Sequence, residues 1–196
     1  MGIVKYRYTV TMFSDWHIGS GLSGGAELDM VVLKDHNRLP YIPGKTIKGL
    51  VREMSQLLCD LDSYNTTEDT LMSLYGSRSE KGEDIGGNCS KGTLFFSDAT
   101  LEKDLQEMLL EKQYQDELYS IVASTAIGED GIAKKHSLRS AEVTIPLILS
   151  GVVMGDFKSS EMFIQDSFSM IKRLGIGRNR GCGRCEIKLE KEEQDV

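Results

Sequence analysis

Apolar and polar residues alternate along residues 3–13, IVKYRYTVTMF, with a period of two. This is the repeat of a β-strand, whose successive side chains point to opposite faces. One face carries the apolar or aromatic positions Val4, Tyr6, Tyr8, Val10 and Met12. The first predicted element is therefore a strand that buries one face.

Three later segments have apolar residues at the three-to-four spacing of α-helices. The first runs from Gly44 to Leu61, directly after Pro43, and is predicted to pack on a sheet. The second, residues 102–119, is acidic and amphipathic, and predicts a helical insertion. The third runs from Ser159 to Leu174 and predicts a second core helix.

Further strands are predicted at residues 92–101, 143–157 and 185–190, the second of them as a long strand or a bent hairpin. With the two core helices, the order along the chain is βαββαβ, the ferredoxin-like pattern of an α+β fold that is also described as RRM-like. A length of 196 residues fits one elaborated domain, so we expect residues 1–196 to form a single domain. Residues 190–196 are predicted to be a solvated tail.

Residues 126–146 begin without clear hydrophobic patterning and then carry Lys134, Lys135, His136 and Arg139 before the next strand. This composition predicts a protruding hairpin inserted in the core.

The net charge of −7 at pH 7 argues against a general nucleic-acid binder, because such binding depends on cations that displace counterions from phosphates. The charges are, however, segregated. Residues 60–84 and 98–117 each contain seven acids and two bases, whereas residues 41–52 contain Lys45, Lys48 and Arg52 without an acid. Residues 171–188 contain six bases and one acid. The chain therefore has two basic patches, and we still expect an anionic partner.

No run of about 18 apolar residues is present, which predicts a cytoplasmic protein without a membrane partner. Four cysteines are too few for a disulfide framework in a chain of this size, so reduced thiols are expected. Cys182 and Cys185 form a C-x-x-C pair, but no second pair or histidine lies at zinc spacing, and no zinc is predicted.

Two possible phosphate-binding motifs lack neighbouring residues or elements that they require. The GKT triplet at 44–46 lacks the earlier glycine of a Walker A loop, because that position is Leu39. Gly19, Gly21 and Gly24 match G-x-G-x-x-G, but the next segment of the chain is too short and too proline-rich for the helix and strand of a dinucleotide fold. A dinucleotide-binding enzyme stays as a minor alternative.

Residues 174–187, LGIGRNRGCGRCEI, combine four glycines with three arginines. Glycine allows close backbone approach to an anion, and arginine gives planar, doubly donating contacts to phosphate. This glycine-arginine loop lies between a helix and a strand and so cannot use a helix N-terminus. It is predicted to bind phosphate through backbone N–H groups and arginines, with the contacts at Gly175, Gly177, Arg178, Arg180 and Gly181.

The segments SDWHIGSG, LPYIPGKTIKGLVRE, GTLFFSDA and RLGIGRNRGCGRCEI, in this order, resemble the RAMP (repeat-associated mysterious protein) superfamily. Within it, they are similar to the repeating backbone subunits of type III CRISPR effector complexes. The resemblance spans almost the whole chain. It implies an RRM-like core that binds guide crRNA, stacks with copies of itself and other subunits into a helical filament, and pairs the guide with a complementary target RNA.

The resemblance also assigns candidate contacts. Lys45, Lys48 and Arg52 share one face of the first helix, opposite Leu50 and Leu57, and suit a line of phosphates. His17 and Ser20, after the first strand, are candidates for ribose or base contact. The resemblance implies that the 126–146 segment is a thumb that lies across the guide and displaces a base at regular intervals, with Ile132 or Leu138 as its apolar wedge.

Asp29 matches the aspartate with which cleaving members of the family cut target RNA, with Glu27 and Asp35 as neighbouring competitors. RNA supplies its own nucleophile, the 2′-hydroxyl, so one carboxylate that holds Mg²⁺ or Mn²⁺ or orients the hydroxyl suffices. Two alternatives remain within the superfamily: a guide-binding scaffold that does not cut, and a guide-processing endoribonuclease with His17 as general base.

Overall fold

The computed structural model describes residues 3–25, 28–61, 64, 66–77, 90–157 and 160–192. Their regular elements, in chain order, are β1 (Val4–Met12), α1 (Gly44–Asp60), α2 (Glu68–Tyr75), β2 (Phe95–Phe96), α3 (Lys103–Glu111), β3 (Tyr119–Ser124), β4 (Arg139–Thr144), β5 (Ile148–Gly155), α4 (Glu161–Ser169) and β6 (Cys185–Lys191). Short 3₁₀ turns lie at Asp116–Leu118 and Arg178–Arg180.

The main sheet has four antiparallel strands in the spatial order β2-β5-β1-β6. Helix α1 packs on α4, and α4 packs on β6. The chain thus passes through this sheet and its two helices as β1, α1, β2, β5, α4 and β6. This is the βαββαβ order that the sequence predicts, and the α+β class is confirmed.

The alternation in β1 sets the core. Strand β1 lies between β5 and β6 in the sheet. Tyr6, Tyr8, Val10 and Met12 on one face are buried, as predicted, while Lys5 and Arg7 on the other face are exposed. Burial of apolar surface contributes about 25 cal/mol per Å², so this face dominates the stability of the strand.

A buried hydroxyl network joins three helices behind the sheet. The Ser55 hydroxyl of α1 lies 2.8 Å from the Tyr75 hydroxyl of α2 and 2.8 Å from the Ser167 hydroxyl of α4. Burial raises the pKa of Tyr75 to about 12. Each polar atom has a partner, which avoids the cost of burying an unpaired hydroxyl.

A second sheet consists of β3 and β4, paired from Tyr119↔Thr144 to Ser124↔Arg139. The predicted hairpin is therefore present, but its arms begin at residue 119 and not at 126. The segment after β1 lies along β4, where Trp16 bridges Thr144 and Met30 bridges Ala141. The hairpin is thereby attached at its base, while residues 121–136 are exposed apart from the half-buried Gly128.

Several predicted elements are shorter than expected. The strand at 92–101 is reduced to Phe95–Phe96 with isolated bridges at Ala99 and Thr100. The helix at 102–119 ends at Glu111, because Gln113 has a positive φ of 57° and stops it. The segment 143–157 divides around Pro146, which cannot donate to a strand ladder, into the end of β4 and the start of β5.

The tail and one helix also differ from the predictions. Glu190 and Lys191 belong to β6, and Glu192 forms ion pairs with Lys5 and Arg7, so the residues up to 192 are not a solvated tail. Residues 193–196 lie outside the described part of the chain. Helix α2 was not predicted. No helix among the described residues has the length and apolar content needed to span a membrane.

Candidate nucleic-acid interface

A cleft of about 350 Å³ opens beside the end of β1. It is lined by the loop that follows this strand and by one residue of the glycine-arginine loop: His17, Gly19, Gly21, Leu22, Ser23, Asp29, Met30, Val31 and Ile176. The structure therefore brings the candidate catalytic aspartate, the candidate histidine and the glycine-arginine loop to one place, although up to 159 residues separate them (176 − 17 = 159).

The loop after β1 folds back on itself. Ser20 N–H donates to the Val31 carbonyl at 3.0 Å, and Leu33 N–H donates to the Ile18 carbonyl at 2.8 Å. The next described helix after Gly24 is α1, which begins only at Gly44. The G-x-G-x-x-G match thus lacks the helix N-terminus that a dinucleotide site uses.

Asp29 is exposed at the edge of this cleft and is held by the hairpin. Its N–H donates to the Ser140 carbonyl at 2.9 Å, and its Oδ2 accepts from the Ser140 N–H at 2.8 Å. The carboxylate position thus depends on β4 as well as on its own loop.

The side chains around Asp29 suit only a cation that takes few of its ligands from the protein. No group of three His, Cys, Asp or Glu side chains suited to a metal exists among the described residues. Mg²⁺ commonly binds through one or two carboxylates plus substrate phosphates and waters. Asp29 is compatible with that role, with most ligands then coming from RNA and water.

The two competitors of Asp29 have different outcomes. Asp35 Oδ1 accepts from the N–H groups of Asn37 and Leu39, at 2.8 Å each. This side chain therefore shapes a turn and does not line the cleft. Glu27 lies outside the described residues.

His17 lines the cleft but is only 3% exposed. Its Nδ1 lies 2.6 Å from the Glu142 carbonyl, which can only accept, so Nδ1 carries the proton. Nε2 is buried and has no hydrogen-bond partner among the described residues. In the neutral ring, Nε2 is thus an acceptor that lies buried against Gly19, where a Cβ would be only 3.1 Å from it.

Ser20 is used inside the loop. Its hydroxyl donates to the Val31 carbonyl at 3.1 Å and accepts from Leu22 N–H at 3.2 Å. It is not among the cleft-lining residues. The predicted hydroxyl contact with ribose would have to compete with these bonds.

The glycine-arginine loop is fastened to the segment after β1. Ile176 N–H donates to the His17 carbonyl at 2.9 Å and Gly183 N–H to the Asp15 carbonyl at 2.8 Å. Gly175, Gly177, Gly181 and Gly183 all have positive φ, between 70° and 89°. Ile176, Arg180 and Gly183 use their N–H groups within the protein, whereas the glycines of the prediction, Gly175, Gly177 and Gly181, are not donors in these bonds. Phosphate binding by these glycines and by the exposed Arg178 and Arg180 stays a prediction.

Ion pairing separates the described arginines into two groups. Two of the eight, Arg7 and Arg38, form ion pairs with carboxylates. The other six have no ion-pair partner among the described residues. Five of them lie in the two basic patches of the sequence and one at the start of β4: Arg52, Arg173, Arg178, Arg180 and Arg184, and Arg139. These cations are available to an external anion.

The cations of α1 flank its buried stripe. That stripe consists of Gly44, Ile47, Val51, Ser55 and Leu58. Leu50 is only partly buried and Leu57 is exposed, so the apolar stripe opposite the cations is not the buried face of the helix. Burial, and to a lesser degree the Arg52 charge, lowers the pKa of Lys48. Lys45, Lys48 and Arg52 do not line the cleft.

The hairpin presents its predicted residues to solvent. Lys134, Lys135 and His136 are exposed near its tip, and Arg139 begins β4. Ile132 and Leu138, the candidate wedges, are also exposed. Their contact with RNA stays a prediction.

Sequence reasoning missed Glu142, which joins the hairpin to the cleft. Its carboxylate forms an ion pair with Lys34 at 2.7 Å and accepts from Val32 N–H at 3.0 Å, while its carbonyl accepts from His17. Lys34 also lies over the Tyr119 ring. The available signal was an acidic residue within the alternating pattern of a strand.

The sequence profile of the RAMP superfamily matches residues 9–186, most of the chain. The chain belongs to the RAMP superfamily. The matched region includes the end of β1, the cleft and all but the last residue of the glycine-arginine loop. The resemblance carried by the sequence motifs is thereby confirmed at the level of the superfamily.

Two solved structures show the same fold as this RAMP protein. A chain of the type III-B Cmr-beta complex bound to cognate target RNA aligns with a TM-score of 0.69 and 14% identity, covering 94% of this chain and 96% of that chain. A chain of the same complex in its apo state aligns with a TM-score of 0.63 and 15% identity, covering 98% and 99%. No curated protein matches the sequence significantly.

Proposed function

We propose that this RAMP protein is an RNA-binding subunit of a type III CRISPR effector complex, holding guide crRNA and a paired target RNA. The proposal is supported by the superfamily membership and by the similarity of the whole chain to subunits of the Cmr-beta complex. The observation that carries it is the set of six arginines that lack an ion-pair partner among the described residues. Unpaired arginines give up no internal ion pair when they bind phosphate.

In this proposal the glycine-arginine loop and α1 bind guide phosphates, and the hairpin lies across the strand. Phosphate contacts position the RNA but do not read its sequence. Sequence recognition then belongs to base pairing between guide and target. The subunit stacks with copies of itself, so that several such sites follow one guide.

The proposal extends to cleavage of the target at Asp29. The 2′-hydroxyl of a splayed nucleotide gives its proton to Asp29 or to water, and its oxygen attacks the adjoining phosphorus in line. The bond from phosphorus to the 5′-oxygen breaks, that oxygen takes a proton from water, and the products are a 2′,3′-cyclic phosphate and a 5′-hydroxyl. Asp29 orients the 2′-hydroxyl or holds the cation. Bound Mg²⁺ or Mn²⁺ would stabilise the charge that develops on the phosphoryl oxygens. The hydrogen bond between Oδ2 and Ser140 N–H fixes the carboxylate without neutralising it.

A guide-processing endoribonuclease is the second candidate, because one observation favours it. With Nδ1–H bound to the Glu142 carbonyl, neutral His17 has an unprotonated Nε2, as a general base requires, and this buried atom would have to become accessible to RNA. Such a reaction needs no metal. Cleavage of guide precursor in EDTA would favour this candidate over the first.

The test is the nucleic acid that the protein carries. The protein is purified at low salt from cells that contain the CRISPR array, its ratio of absorbance at 260 to 280 nm is measured, and the bound RNA is sequenced. The proposal predicts that the bound RNA has repeat-spacer sequence. It also predicts that the protein forms a series of oligomers that differ in their number of subunits. Nucleic-acid-free protein that also fails to bind single-stranded RNA in filter assays would contradict it.

A further inference from the structure

Phe13, directly after β1, is an aromatic residue outside the core. Of the six phenylalanines, Phe96, Phe157, Phe163 and Phe168 are buried, whereas Phe13 and Phe95 are 52% and 58% exposed. The strand alternation explains the direction, because Met12 faces the core and the next residue faces out. The ring therefore leaves apolar surface exposed to water, which is unfavourable, and adds nothing to the core.

Backbone hydrogen bonds hold this ring beside Arg184. Phe13 N–H donates to the Arg184 carbonyl at 2.8 Å, and Arg184 N–H donates to the Ser14 hydroxyl at 3.0 Å. The Arg184 guanidinium carbon lies 5.9 Å from the centre of the Phe13 ring, within cation–π range. The pair is thus fixed through the main chain and not only through long side chains.

The surroundings of the pair are cationic. Arg184 lies opposite Arg173 in an antiparallel bridge, and the Arg173 guanidinium donates to the Arg178 carbonyl. Like charges directly opposite each other on paired strands destabilise the pair. None of these three arginines has an ion-pair partner among the described residues. The nearby Glu186 pairs with Lys188. An anion bound between Arg173 and Arg184 would remove this repulsion.

An exposed ring, a guanidinium beside it and an unneutralised pair of arginines match one ligand chemistry, a nucleotide with a flat base and an adjoining phosphate. We propose that Phe13 and Arg184 form a stacking site for one unpaired base of bound RNA, with Arg173 binding the adjoining phosphate. This inference rests on the proposed function and adds a base contact to its phosphate contacts. Base stacking tolerates any sequence, as a guide-binding subunit requires.

The test compares Phe13→Leu, which keeps apolar bulk but removes the ring, with Phe13→Tyr, which keeps the ring. Binding to fluorescein-labelled single-stranded RNA is measured by anisotropy, together with the melting temperature of each variant. We expect Phe13→Leu to bind about fivefold or more weakly, a typical loss for one base–aromatic stack, and Phe13→Tyr to bind like the parent. Both should melt near the parent temperature.

An abasic oligonucleotide isolates the base. The difference between Phe13→Leu and the parent should disappear on RNA whose bases are removed, because only phosphates then remain. If the parent binds RNA and Phe13→Leu binds equally well, the stacking site is refuted while RNA binding stands. If the parent binds no RNA, the proposed function itself fails. If Phe13→Leu only weakens self-association of RNA-free protein, the ring belongs to a protein interface and the inference is wrong.

Discussion

At the scale of single residues, the unpaired arginines give the most direct prediction. Replacing Arg178 and Arg180 together by alanine should weaken RNA binding and reduce the slope of log K against log salt by about 1.4, since each lost contact to a single strand contributes about 0.7. Stability should change little, because both side chains are exposed. Binding isotherms at several salt concentrations measure the slope.

The matched control removes two other exposed cations. Lys103→Ala with Lys112→Ala lowers the net charge equally, but both residues lie on the acidic α3 side of the chain. The account requires this variant to keep the parental slope. Equal slopes for both double variants would mean that only total charge matters.

Lys48 is expected to lose its proton at a lower pH than an ordinary lysine. Its partial burial, and then the neighbouring Arg52 charge, disfavour the ammonium form and lower its pKa. Below the lowered pKa Lys48 is charged and binds phosphate, and its contribution is lost earlier as the pH rises. The midpoint of amine acylation against pH, followed by mass spectrometry, should lie lower in folded than in urea-unfolded protein.

Arg52→Gln should move that midpoint upward only in part, because burial is the larger cause. An identical midpoint in the folded and unfolded states would contradict the assignment.

Residue positions were predictable from the sequence where a single repeat decides them. The buried face of β1 follows from its alternation alone. The position of His17 did not, because its burial depends on the Glu142 carbonyl, 125 residues away in the sequence. Leu57 of α1 was expected on the apolar face but is exposed, because helical spacing alone does not say which apolar residues at the edge of that face reach the core.

At the scale of elements, two glycines of the glycine-arginine loop should differ in how much an alanine substitution destabilises the protein. Gly181 has φ of 89° and open space around its missing Cβ, so Gly181→Ala should cost about 1–2 kcal/mol of backbone strain. Gly183 has φ of 70°, and a Cβ there would overlap the Leu174 carbonyl, so Gly183→Ala should lower the free energy of unfolding more. Urea unfolding of both variants tests this order, and equal losses would refute the described packing of the loop.

The hairpin is expected to be dispensable for folding. Replacing residues 125–138 by Asn-Gly joins Ser124 to Arg139, which already face each other, through a two-residue turn. The core should melt at the parental temperature, since the removed residues are mostly exposed. The nuclease protection pattern of bound RNA should change, because the proposed thumb is gone.

Lys134→Ala with Lys135→Ala separates charge from shape in this experiment, since it removes two cations and keeps the hairpin. An unaltered protection pattern after the replacement would exclude a role of the hairpin in spacing.

Elements with strong periodicity were predictable, and those defined by distant partners were not. Helix α1 begins and ends within one residue of its prediction. Strand β3 is mostly exposed, so it has little apolar alternation, and the sequence pattern placed its start at the end of an acidic helix. Its strand form depends on pairing with β4, which becomes visible only in three dimensions.

At the scale of the whole molecule, the candidate site is built from three segments that the fold brings together: the loop after β1, the base of the hairpin and the glycine-arginine loop. The resemblance indicated each segment, but not the hydrogen bonds that join them. Because Asp29 is held by Ser140, its removal by alanine would alter both charge and anchoring. Asparagine is the sharper replacement, since its amide oxygen still accepts from the Ser140 N–H.

The central measurement is target cleavage by assembled complex that carries Asp29→Asn, with Asp35→Asn as control. Asp35 accepts only turn N–H groups, which asparagine also serves. With Mg²⁺ or Mn²⁺ and matched target RNA, the account predicts that Asp29→Asn cuts about a hundredfold or more slowly at unchanged guide and target affinity, while Asp35→Asn cuts like the parent. Parental cleavage by Asp29→Asn, or a parent that binds target but never cuts it, would contradict the catalytic assignment.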